Sequence, residues 1–97
     1  MRIIAKRTLR EFWRKHPDSE EQLKSWYSET SKMNWEKPND IKQEYPKASI
    51  IGNNRVVFNI SGNRYRLVVK VNYIRGWILI RFIGTHNEYD RVNVEVI

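Results

Sequence analysis

Arg66, His86, Tyr89 and Asp90 carry the groups that chemistry on a phosphodiester needs. Arginine is a permanent, planar cation whose fork of N–H donors fits phosphate oxygens two at a time. Histidine exchanges a proton near neutral pH, and a phenol or a carboxylate can carry one as well. Arg66 lies in the run Gly62-Asn63-Arg64-Tyr65-Arg66-Leu67-Val68-Val69. The other three close the run Arg81-Phe82-Ile83-Gly84-Thr85-His86-Asn87-Glu88-Tyr89-Asp90. On RNA such a set needs little more, because the ribose supplies its own nucleophile. Its 2′-OH attacks the adjacent phosphorus once a base takes its proton, and an acid protonates the leaving 5′-oxygen. Arginine stabilises the charge gathering on the pentacoordinate phosphorus. The step calls for no metal or other cofactor, and it leaves a 2′,3′-cyclic phosphate and a 5′-hydroxyl.

The elements that must position these residues follow from pattern. Thr8 with Glu11 has capping-box spacing, and Leu9, Phe12, Trp13 and His16 fall on one helical stripe. Pro17 ends that helix. Asp18 with Glu21 predicts a second capping box, opening a helix with Leu23, Trp26, Tyr27 and Thr30 on its apolar stripe. Lys32 to Asp40 reads as a loop, followed by one short turn with Ile41 and Tyr45 that Pro46 closes. Met1 to Ile4 can form a short strand. Trp13 and Trp26 are expected in the core; for Trp35 and Trp77 packing is preferred over stacking on bases.

From Arg55 the period becomes two. Tight turns centred on Gly62-Asn63 and Arg75-Gly76 predict a three-stranded meander. Ile60 should then pair with Tyr65, Phe58 with Leu67, Val71 with Ile80 and Val69 with Phe82. One face becomes wholly apolar, including Val56, Phe58, Ile60, Leu67, Val69, Ile78, Ile80 and Phe82, and must lie under the helices. The other carries Arg55, Arg66, Lys70 and Arg81 among small apolar residues, with Ile83 and Thr85 at its end. Arg66 should lie opposite Thr85, so that His86 emerges near its guanidinium. The expected fold is therefore α+β: an N-terminal antiparallel helix pair on one face of a mainly antiparallel sheet.

A chain of 97 residues suits a single domain, residues 1–97, with one modest core. Lys and Arg number 18 against 11 Asp and Glu, a formal charge of +7 with a pI near 9.9. Such a surplus favours polyanions, nucleic acid first among them. Absence of cysteine excludes disulfides, thiolate metal sites and cysteine nucleophiles, and two histidines are too few for a His-rich metal centre. No run is apolar enough for a signal peptide or membrane span, so a cytoplasmic protein is expected.

The strand Arg55-Val56-Val57-Phe58-Asn59-Ile60, the Gly62-to-Leu67 run and the ending Ile83-Gly84-Thr85-His86-Asn87-Glu88-Tyr89-Asp90 together resemble the HigB-type toxins of bacterial toxin–antitoxin systems. These are a branch of the RelE-like ribonucleases. The opening Arg2-Ile3-Ile4-Ala5 and the helical first half suit that family too. The resemblance implies a RelE-like fold, entry into the ribosomal A site, cleavage of mRNA there and a HigA-type antitoxin with a helix-turn-helix as partner. It aligns Arg66 with the arginine that contacts the scissile phosphate, His86 with a basic residue after the last central strand, and Tyr89 with a tyrosine near the C-terminal end. Classical RelE has arginine where this chain has His86, so the imidazole can serve as base or acid. Asp90 would orient it or carry a second proton. Arg55, Asn63, Arg64, Lys70 and Arg81 are then expected to contact RNA or ribosome. The alternative is a non-catalytic module that grips RNA or the ribosome and blocks translation. It would need the same arginines and neither His86 nor Tyr89.

Overall fold

Hydrophobic periodicity alone divides the chain into a helical and a strand half, and the computed structural model, which describes residues 1–97, has that division. In chain order it contains β1 (Arg2–Ile4), α1 (Lys6–Lys15), a 3-10 turn (Pro17–Ser19), α2 (Glu20–Ser31), α3 (Pro38–Glu44), β2 (Ser49–Ile51), β3 (Arg55–Ile60), β4 (Tyr65–Asn72), β5 (Trp77–Thr85) and α4 (His86–Tyr89). The sheet runs β1-β5-β4-β3-β2, and only the β1–β5 pair is parallel. No helix is long and apolar enough to cross a membrane.

The helices start differently from their sequence signals. Thr8 lies inside α1, whose N-cap is Ala5 in a left-handed conformation (φ 81°) with no side-chain cap. Asp18 caps nothing either: Ser19 precedes α2, and the Asp18 carboxylate turns to the sheet, where it meets Tyr65 and Arg64. Pro38 takes the first position of α3, where its missing N–H costs nothing. In the same first turn Asp40 accepts the Glu36 N–H at 2.9 Å.

Leu9, Phe12, Leu23, Trp26, Trp35 and Ile41 press on a strand face made by Val56, Phe58, Ile60, Leu67, Val69, Val71, Ile78 and Ile80. Trp13 is half-buried against that core; Trp35 lies within it at 3% exposure, and half-buried Trp77 sits beneath the Arg75 guanidinium, 5.2 Å from it.

The β3–β4 hairpin has the register its Gly62-Asn63 turn demands, with Ile60 opposite Tyr65 and Phe58 opposite Leu67. The β4–β5 pair departs from expectation. Its connection spans Tyr73 to Gly76, so Val71 faces Ile78 rather than Ile80, and Val69 faces Ile80 rather than Phe82. That shift of two keeps the faces. A bulge between Val68 and Val69 then leaves Arg81 without a partner and reverses the faces beyond it. Phe82 moves to the helix-free face opposite Val68, and Ile83 moves to the core side opposite Leu67. Arg66 accordingly faces Gly84, one residue before Thr85.

The helix-free face is not open throughout. Val57 and Val68 on it are 2% and 0% exposed. The C-terminal segment returns to this side: the Asn53 side chain donates to the Glu95 carbonyl at 3.2 Å, and Glu95 reaches Gly52. Strand β2, absent from the sequence reading, pairs antiparallel with β3 and completes that edge.

Candidate active site

β4 sets Arg66 at the hairpin end of the helix-free face. Its Nη1 donates to the Asn63 carbonyl at 2.9 Å and to the Tyr65 carbonyl at 3.3 Å. These bonds fold the guanidinium back toward the turn and leave Nε and Nη2 without protein partners. That unused edge is the pair of parallel donors with which arginine binds a phosphate. Above it the Tyr89 ring lies 5.9 Å from the guanidinium carbon, at cation–π distance.

Tyr89 is there because α4 is pinned at its start. The Glu88 N–H donates to Thr85 Oγ1 at 3.2 Å, and the Thr85 N–H donates to Glu88 Oε1 at 2.8 Å, a reciprocal capping box. The Thr85-His86-Asn87-Glu88 spacing carried that signal, which the sequence reading left unused. Gly84 permits the approach: a Cβ there would lie 2.6 Å from Phe82 Cζ and 3.0 Å from Glu88 Oε1. The His86 N–H, first in the turn, donates to the Arg64 carbonyl at 3.1 Å. One turn later Asp90 Oδ2 stands 3.8 Å from His86 Nε2, beyond hydrogen-bond reach, with both side chains more than half exposed.

Arg66, Tyr89, His86 and Asp90 thus share one end of the sheet, joined by the turn 61–64. The other expected cations are dispersed. Arg55 is 8% exposed, held by bonds of 2.5 and 3.1 Å to the Ile97 carbonyl and 2.9 Å to the Asn53 carbonyl, so it contributes nothing to an open cationic surface. Its burial depends on the returning C-terminal segment. Arg64 is exposed but ion-paired with Asp18. Lys70 and Arg81 are exposed. Asn63 supplies the carbonyl that orients Arg66, and its side chain accepts from Asn59 at 3.5 Å. No three His, Asp or Glu side chains converge as metal ligands would.

Behind the site lies a cluster that sequence reading missed. The Tyr65 hydroxyl donates to Asp18 Oδ1 at 2.7 Å and lies 3.5 Å from His16 Nδ1. The His16 ring stacks on Phe12 with centroids 4.4 Å apart. The Tyr65 hydroxyl, then the Arg64 guanidinium, hold the Asp18 carboxyl below the usual carboxylate range. The same bond raises the Tyr65 phenol. The Thr85 N–H lowers Glu88.

Carboxyls depressed in the folded chain stabilise it above their unfolded value, about 4, and that stabilisation disappears as pH falls through the folded value. Stability should decline below about pH 4 more steeply in the wild type than in an Asp18→Asn/Glu88→Gln double variant. Thermal unfolding followed by circular dichroism between pH 7 and pH 2.5 measures this; parallel acid limbs would refute it.

A family model described as HigB_toxin, RelE-like toxic component of a toxin–antitoxin system, matches residues 19–92. The chain belongs to the HigB toxin family. Among relatives of this HigB chain is "mRNA interferase HigB" of Escherichia coli O6:H1 (strain CFT073), 26% identical over 94 residues that cover 95% of this chain and 91% of that protein. Others are "mRNA interferase toxin HigB" of Escherichia coli K12 and "mRNA interferase HigB" of Shigella flexneri. Each is 28% identical over 92 residues, covering 93% of this chain and 88% of the relative. The matched region includes every element from α2 to α4, and with them Arg66, His86, Tyr89 and Asp90. As a HigB-family toxin, the chain has an antitoxin as its partner.

Proposed function

We propose that this HigB-family toxin is a metal-independent mRNA endoribonuclease that cuts the message in the ribosomal A site and so stops translation. The observation that carries the reading is the free Nε–Nη2 edge of Arg66, presented beneath Tyr89 beside the turn that bears His86 and Asp90. Its relatives are named mRNA interferases, which supports the reading.

Arg66 binds the non-bridging oxygens of the scissile phosphate and stabilises the charge that grows there during attack. His86 is the proton-transfer group: it takes the proton of the 2′-OH or delivers one to the departing 5′-oxygen. Asp90, 3.8 Å from His86 Nε2, orients the imidazole, and Tyr89 braces the guanidinium and is assigned the second proton transfer. The 2′-oxygen–phosphorus bond forms as the phosphorus–5′-oxygen bond breaks, giving a cyclic phosphate and a 5′-hydroxyl. Lys70 and Arg81 add affinity for RNA or ribosome, Arg64 adds its exposed charge, and Arg55 is structural. The antitoxin partner is of the HigA type, and the site of action is the cytoplasm.

The test is a reconstituted translation system in which message 5′ ends are mapped after adding wild-type protein or His86→Ala. The wild type should produce ribosome-dependent cuts within the A-site codon, carrying 5′-hydroxyl ends. His86→Ala should slow them by about 10²–10⁴-fold, the usual contribution of general acid–base catalysis. Arrested translation with an intact message would replace this reading with that of a binding module.

A further inference from the structure

Arg66 and His86 both depend on the turn between β3 and β4, and that turn is strained. Ser61 and Gly62 have φ values of 52° and 66°, a region costly for serine and held only where the surroundings enforce it. The surroundings here are the 3-10 turn and the first turn of α2. Gln22 Oε1 accepts the Ser61 N–H, and the Asp18 carbonyl accepts the Ser61 hydroxyl at 3.2 Å. The Asp18 carboxylate receives the Arg64 guanidinium on one oxygen and the Tyr65 hydroxyl, at 2.7 Å, on the other. The turn then passes two bonds on to the site: the Asn63 carbonyl takes Arg66 Nη1, and the Arg64 carbonyl takes the His86 N–H.

We propose that Asp18, seconded by Gln22, is a positioning residue for RNA cleavage: it clamps turn 61–64 so that the Asn63 and Arg64 carbonyls aim Arg66 and His86 at one phosphate. The inference rests on the nuclease reading above. Neither residue lies in the strand runs that carry the chemistry, and both come from the helical half of the chain. Loss of the clamp lets the two carbonyls shift independently, and displacements near 1 Å at reacting groups cost about 10²-fold in rate.

Single-turnover cleavage on programmed ribosomes, measured beside ribosome affinity, separates aim from grip. Asp18→Ala should cleave about 10- to 100-fold more slowly with its Kd within about twofold of wild type. Gln22→Ala, at an exposed position that removes no core contact, should lose a smaller factor in the same way. Arg64→Gln keeps its backbone carbonyl and the Tyr65–Asp18 bond, so it should lose less than Asp18→Ala. A destabilised control far from the turn, Val71→Ala, should keep its rate when assayed below its melting temperature. An unchanged rate in the Asp18→Ala/Gln22→Ala double variant would overturn the proposal. So would a parallel loss of rate and affinity, which would make the cluster part of the binding surface. If the wild type itself fails to cut, the nuclease reading falls first, an outcome recognisable because no variant is then needed to see it.

Discussion

Arg66→Ala should reduce the rate of message cleavage by about 10²–10³-fold, the usual cost of removing one preorganised donor to a developing oxyanion. The expectation follows from which of its donors are engaged. Nη1 is committed to the Asn63 and Tyr65 carbonyls, which fixes the plane of the guanidinium before substrate arrives. In the proposed mechanism Nε and Nη2 take the phosphate, so the substitution removes both orientation and charge. Arg66→Lys returns the charge without the fork and should recover only part of the rate. The fold should tolerate either change, because the side chain is half-exposed and the carbonyls it leaves lie near solvent. Lys70→Ala makes the contrasting case: its exposed ammonium lies further along β4, and its loss should weaken affinity and salt dependence with little effect on single-turnover rate. Rates measured at saturating ribosome with matched unfolding curves decide the matter. An Arg66→Ala rate within threefold of wild type would move the phosphate contact elsewhere, and Arg81 would become the next candidate.

How far this site could be read beforehand depended on which part was local. The β3–β4 register was legible because Gly62-Asn63 fixes a short turn, and turn length fixes pairing. The β4–β5 register was not: its connection is equally long but is centred on Ile74-Arg75, one position before the suggested Arg75-Gly76, with Gly76 taking the positive φ at its end. Nor could the bulge at Arg81 be seen: Phe82 and Ile83 are both apolar, so either could take the core side without breaking the alternation. Asp18 matched a capping pattern, yet a charge-assisted bond to Arg64 and a phenol donor proved the better partners. Arg55 read as an exposed strand cation, since its burial is decided by residues some forty positions away. Candidate residues could be named because the types that handle a phosphodiester are few; what holds them in place is tertiary and was not legible.

The largest effect on stability should come from Phe58→Ala. Phe58 is 2% exposed and sits where three elements of the helical half meet β3. Its ring is 5.4 Å from that of Trp26 on α2, 6.4 Å from Trp35 in the preceding loop and 5.2 Å from Tyr45 at the end of α3. Truncation removes the transfer free energy of a ring and leaves a cavity walled by bulky aromatics that cannot collapse easily, about 3–5 kcal/mol in all. Edge-to-face pairing with Trp26 and Tyr45 places the effect toward the upper end. A domain of this size has roughly 5–15 kcal/mol of stability in total, so a third or more would go. The melting temperature should fall by about 15–25 °C. Phe12→Leu, at the rim of the core, should cost less because leucine retains much of the buried volume. Denaturant unfolding of the two variants beside wild type measures the difference directly. A loss below about 1 kcal/mol for Phe58→Ala would mean that the helical half is held to the sheet by other contacts, and the aromatic junction would lose its place as the centre of the fold.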